Sequence, residues 1–156
     1  MSDTEALRAA LEQSRAELLG ALEGVTLEEL ERRPPGPITD DEARWPIVDV
    51  LWHVGDVDDT FRRQVDQAIG GRPISPNVRR ARPAHMTTPV LLTEWLAQTR
   101  RPTEVLLGRL RDEDLDVEFV RPDGQTRTPR RLLTILEGHD GAHAEQVRAL
   151  RALATD

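Results

Sequence analysis

Apolar residues recur at three- and four-residue intervals in four separate stretches of this chain, and nowhere do they alternate over the length of a strand. That spacing paints one face of a helix, so the chain must form amphipathic helices that bury their stripes against one another. The first stretch runs from about Thr4 to Gly24, with Leu7, Leu11, Leu18, Leu22 and Val25 in line. In the short segment TLEELERRP that follows, Thr26 and Glu29 have the form of a capping box. Residues 34–46 are proline-rich and acidic and read as a loop. The second helix is expected from near Pro46 to the stop at Gly70-Gly71, with Ile47, Val50, Val54, Val57, Phe61, Val65 and Ala68 as its stripe.

The next segment, GRPISPNVRRARPAHMTTP, has four prolines and no apolar period, and it reads as a long connection. The third helix opens at Thr87 or Thr88 ahead of Pro89 and carries Leu92, Trp95, Leu96, Thr99, Leu106 and Leu110. Pro102 falls inside it and predicts a kink or a break near Arg101. In VEFVRPDGQTRTP, two short extended runs flank the turn dipeptide Asp123-Gly124 and predict a small hairpin or an irregular loop. The fourth helix is expected from Thr128-Pro129 to about Ala154, with Leu132, Leu136, Val147 and Leu150 inward. The expected fold is all-α, one domain over residues 1–156: a four-helix bundle with a long crossover between its second and third helices.

Composition narrows the chemistry. The chain has no cysteine, which excludes disulfides, cysteine-ligated zinc and a cysteine nucleophile, so any thiol chemistry would use a thiol brought in as substrate. All 21 basic residues are arginine, which excludes a Schiff-base lysine and a P-loop lysine. The net charge of −7 argues against a protein whose main task is gripping nucleic acid. No apolar run is long enough to cross a bilayer, and the charged amino terminus is unlike a secretory signal, so a cytoplasmic location is expected.

His139 and His143 lie four residues apart in the fourth helix, within about 40° of each other at the centre of its apolar stripe. Two imidazoles one turn apart on one face can hold a single metal ion; without one, each must be satisfied by hydrogen bonds inside the core. His53, on the second helix about 95° from the stripe centre, is the candidate third ligand, or else a boundary histidine bonded to Asp56 one turn on. His85 reads as a surface residue. Gly141, inside a helix at a cost of about 1 kcal/mol against alanine, suggests close backbone approach, with room for a ligand or for a neighbouring helix. Trp52 projects away from its stripe and is expected under a loop, with a dimer contact or partial exposure as the alternatives.

WPIVDVLWHV on the second helix, together with TPRRLLTILEGHDGAHAEQV on the fourth, resembles the DinB-like (YfiT-like) four-helix-bundle superfamily of metalloenzymes. Trp45, His53, His139, His143 and Gln146 match that family's pattern. The resemblance implies a divalent metal held by His53, His139 and His143, and a homodimer. Three imidazoles leave a coordination position open, as catalytic sites do, and zinc, nickel, iron and copper all suit such ligands. Asp56, Asp140 and Gln146 are the candidates for orienting the imidazoles or touching substrate. Similar proteins use a low-molecular-weight thiol such as bacillithiol or mycothiol in stress or detoxification chemistry. The expected function is therefore a metal-dependent thiol S-transferase, or a related thiol-dependent isomerase or hydrolase, with Arg79, Arg80, Arg82 or Arg127 available for cofactor carboxylates. The alternatives are a metal-binding stress protein without turnover, and a bundle that binds a partner or nucleic acid through RRARP.

Overall fold

A computed structural model of the protein describes residues 1–153. Its helices are α1 (Asp3–Ala21), α2 (Leu27–Glu31), α3 (Ile47–Ile69), α4 (Pro89–Arg109) and α5 (Pro129–Arg151). Each long helix starts where chemistry favours it. Ser2 caps α1, and Thr88 and Thr128 accept from the backbone N–H groups of Leu91 and Arg131, with proline in the first turn behind each threonine. Pro46 stands one residue outside α3 as its cap, without a side-chain bond. The helix α5 ends at Arg151; Ala154, its expected end, lies outside the described residues. Two-residue strands β1 (Phe119–Val120) and β2 (Thr126–Arg127) pair antiparallel around Gly124, whose φ of 84° suits glycine.

Cross-helix pairs fix the topology. Arg15 meets Asp140, and Arg151 reaches Ala21, so α1 and α5 run parallel. Trp52 stacks on Trp95 and Asp58 bonds Thr103, so α3 and α4 are also parallel. Adjacent parallel helices need a connection that travels back the full helix length, about 34 Å for the 23 residues of α3. Residues 70–88 make that return, fastened to α3 as they climb. Gln67 bonds Ser75, Gln64 bonds Asn77, Asp56 and Asp59 take Arg80, and Asp49 takes Arg82. The indole N–H of Trp52 donates to the Arg80 carbonyl at 2.8 Å, so this connection is the loop over Trp52.

The core is divided. One apolar cluster joins Leu18, Val50, Leu51, Leu96 and Val147; the other joins Leu11, Val65, Leu106, Leu132 and Leu136. Between them lies a buried charged layer with one residue from each long helix: Arg15, Asp58, Arg100 and Asp140. The two guanidiniums contact both carboxylates at 2.7–3.1 Å, and all four side chains are at least nine-tenths buried. Equal numbers of opposite charges make the layer neutral.

One expectation is narrowed and another corrected. The helix α4 does not break at Pro102, one of the two outcomes expected there, because Pro102 and Gln98, whose carbonyl it leaves without a helical donor, are both exposed to water. Nor is Gly141 a place of close approach, since a Cβ there would meet no atom within 4 Å. The tight position is Gly55, where a Cβ would fall 2.1 Å from the indole nitrogen of Trp95.

Candidate metal centre

Helix α3 contributes His53, and α5, packed antiparallel to it, contributes His139 and His143 one turn apart. Their Nε2 atoms converge. His139 Nε2 stands 3.1 Å from that of His53 and 3.0 Å from that of His143, and all three lie within 4.8 Å of one another. Trp45 packs edge-on against the His53 ring, with centroids 5.2 Å apart. His85 is on the surface, away from the cluster.

Hydrogen bonding among neutral rings does not account for this convergence. Gln146 Nε2 donates to the Glu42 carbonyl at 2.7 Å, which turns its Oε1 toward His143 Nδ1, also at 2.7 Å. His143 therefore carries its proton on Nδ1 and presents a bare Nε2. One proton on His139 Nε2 would then have to serve both neighbours. A divalent cation would resolve the conflict by accepting three lone pairs at once, and about 3.3 Å is the edge of a tetrahedron built on zinc–nitrogen bonds. Burial favours the neutral, ligating form. It lowers the His53 pKa against a smaller opposing pull from Glu42, and with the neighbouring His143 and His53 it pushes His139 down to about 3.

The other candidate side chains divide. Gln146 orients His143, as a distal partner of a metal ligand does. Asp56, by contrast, gives both oxygens to Arg80, at 2.5 and 3.0 Å, and so holds the connection instead of His53. Asp140 likewise faces away from the imidazoles into the charged layer, where Arg15 and Arg100 occupy it. The Nδ1 atoms of His53 and His139 are consequently buried without a partner.

Two cavities meet at His53, Asp56 and Arg79. The first, about 410 Å³, is walled by Val57, Phe61, Val78 and Ile135 with Thr60 and Asn77 at its polar side. The second, about 470 Å³, lies toward Trp45, Trp52 and the arginines Arg80 and Arg82. Arg127 is elsewhere, bonded to Gln125 and Thr126 within the hairpin. Sequence reasoning missed Glu42, whose carboxylate reaches His53 Nε2 at 3.4 Å and Arg79 at 2.7 Å. It lies in an aperiodic loop, in a single 3-10 turn (Glu42–Arg44), where spacing carries no information.

The model of the DinB superfamily matches residues 10–147, a span that holds all three histidines and Gln146. The chain belongs to the DinB superfamily. The DinB fold is also what the solved structures share with it. The colibactin self-resistance protein ClbS, solved in complex with dsDNA, superposes with a TM-score of 0.75 at 13% identity, covering 99% of each chain. YfiT from Bacillus subtilis, described as a probable metal-dependent hydrolase with an unusual four-helix bundle topology, gives 0.70 at 18% identity over 96% of this chain and 87% of its own. A conserved protein from Enterococcus faecalis gives 0.69 at 15%, over 97% and 96%. No curated protein matches by sequence. Among the described residues, no helix of this DinB protein is long and apolar enough to cross a membrane.

Proposed function

We propose that this protein is a divalent-metal-dependent enzyme that joins a small thiol to an electrophile, or uses such a thiol in a related isomerisation or hydrolysis. The observation that carries the reading is the convergence of three Nε2 atoms whose lone pairs the protein's own protons cannot satisfy. His53, His139 and His143 would hold the metal, with zinc, nickel or iron suited to the set. A metal so held activates a coordinated thiol or water by stabilising its anion. Gln146 keeps His143 turned inward, while Val57, Phe61, Val78 and Ile135 offer an apolar wall to the body of a substrate. Arg79, which borders both cavities, would meet a substrate carboxylate by giving up its exposed contact with Glu42. The absence of cysteine from the chain fits a thiol supplied from outside, such as bacillithiol or mycothiol in a detoxification role.

The likeness to YfiT favours hydrolysis as the nearest variant of this chemistry. The likeness to ClbS supports a second reading, nucleic-acid binding, but here the arginines of the RRARP run are engaged by acids. Arg79 pairs with Glu42, Arg80 with Asp56 and Asp59, and Arg82 with Asp49. Binding to dsDNA that weakens with added salt and is lost on replacing these arginines would favour that second reading. The enzymatic reading is tested with a thiol and monochlorobimane. Conjugation above the uncatalysed rate is expected with metal-loaded protein and is abolished by chelation or by His53→Ala. Metal binding without any rate on thiol or ester substrates would leave a binding protein. Cytoplasmic location and homodimer formation complete the proposal, the latter checked by light scattering.

A further inference from the structure

Arg15, Arg100 and Arg121 are the arginines buried to nine-tenths or more among the described residues, and the fold treats them unequally. Arg15 and Arg100 each touch the carboxylates of Asp58 and Asp140. Arg121, only 7% exposed, has no ion pair and no side-chain hydrogen bond among the described residues; its guanidinium carbon stands 5.5 Å from the centre of the Phe61 ring. An aromatic face attracts a cation but leaves its N–H groups without acceptors, and arginine is rarely buried unless an acid compensates it. The hairpin deepens the deficit. Phe119 and Arg121 point to the same buried side, and Arg127, paired with Phe119, shares that side and keeps a buried Nε without a partner. Phe61 connects this cation to the candidate metal centre. It lines the first cavity eight positions after His53 on α3, about 12 Å along the axis, farther from the histidine than the cavity's other α3 residues. Val57, Val78 and Ile135 make the rest of the wall apolar.

We propose that Arg121 is a specificity-determining residue, which holds the carboxylate of a substrate whose apolar body lies along the first cavity and whose reacting atom sits at the histidines, an inference that rests on the proposed function. The substrate class is an amphiphile with a carboxylate about 12 Å from its thiol or electrophilic end. The planar guanidinium fork matches a carboxylate, and the cation is already stripped of most of its water in the folded protein. A carboxylate at Arg121 opens no existing ion pair, whereas one at Arg79 must displace Glu42.

The test titrates the metal-free full chain with decanoate and with decanol, probes of matched length, in a calorimeter. Wild type is expected to bind decanoate roughly tenfold or more tightly than decanol. Arg121→Met should remove that preference, Arg121→Lys should keep part of it, and Arg79→Ala should leave it whole; Arg121→Gln gives the same reading should the methionine variant not fold. Removing a buried charge that has no counter-ion should also leave the urea midpoint of Arg121→Met unchanged or raised, where a structural arginine would lower it. No preference in wild type, a preference that survives in Arg121→Met or Arg121→Gln, or one that disappears in Arg79→Ala would overturn the inference. Zinc uptake, measured separately, tells the two readings apart. Uptake without the preference sinks the carboxylate site alone, and an Arg121-dependent preference without uptake sinks the metal reading and leaves a carboxylate site without the reaction.

Discussion

Gly55 and Gly141 stand on facing helices and have opposite prospects. A methyl at Gly55 collides with Trp95, which cannot retreat because it stacks on Trp52 and donates to the Trp52 carbonyl at 3.1 Å. Gly55→Ala is therefore expected to cost about 1–3 kcal/mol, read as a lower urea midpoint. Gly141→Ala meets open space and is expected to raise stability by about 1 kcal/mol through helix propensity alone. His139 sets a pH dependence in metal-stripped protein. Its folded pKa, about 3, lies below the unfolded value of 6.5, so acidification loads the unfolded state with a proton first. Stability should fall as pH drops from 6.5 toward 3, and His139→Asn should flatten that slope in urea titrations. The three histidines were visible in the sequence because helical spacing places two of them on a known stripe. The partners of Asp56 and Asp140 were not, because an acid next to a histidine in sequence reveals nothing about which arginine the fold brings to it.

The elements were legible where local chemistry decides them. Thr26, Thr88 and Thr128 cap their helices, and Gly124 turns the hairpin, as the residues alone indicate. That α4 continues past Pro102 was not legible, because the cost of an interior proline depends on whether water reaches the carbonyl it orphans, and that is a property of the packed bundle. The charged layer had an unread signal. Arg15, Asp58, Arg100 and Asp140 each follow a stripe residue, Leu11, Val54, Leu96 or Leu136, by four positions, so each helix carries one charge on its apolar face. Two of each sign on four buried faces imply mutual neutralisation. Deleting one member leaves its partners uncompensated, so Asp58→Ala should destabilise by about 3–5 kcal/mol in equilibrium unfolding. That carboxylate serves Arg15, Arg100 and Thr103 together.

For the whole molecule, parallel pairing of α3 with α4 explains why an arginine-rich connection with no apolar period is needed at all. It spans the length of the bundle, and its arginines pair with acids that α3 presents along one side, which builds the wall of both cavities beside the histidines. The sequence indicates that a long connection exists and where it lies, but not that it is zipped to α3 or that the preceding loop delivers Glu42. Those contacts join residues far apart in the chain and leave no periodic trace. Elemental analysis of protein purified without a metal-affinity tag and then exposed to zinc tests the central claim most directly. One ion per wild-type chain, and none in His139→Ala or His143→Ala variants that keep their helical circular dichroism, is the predicted result. A folded wild-type protein that takes up no ion, or one that keeps its ion when these imidazoles are removed, would contradict it.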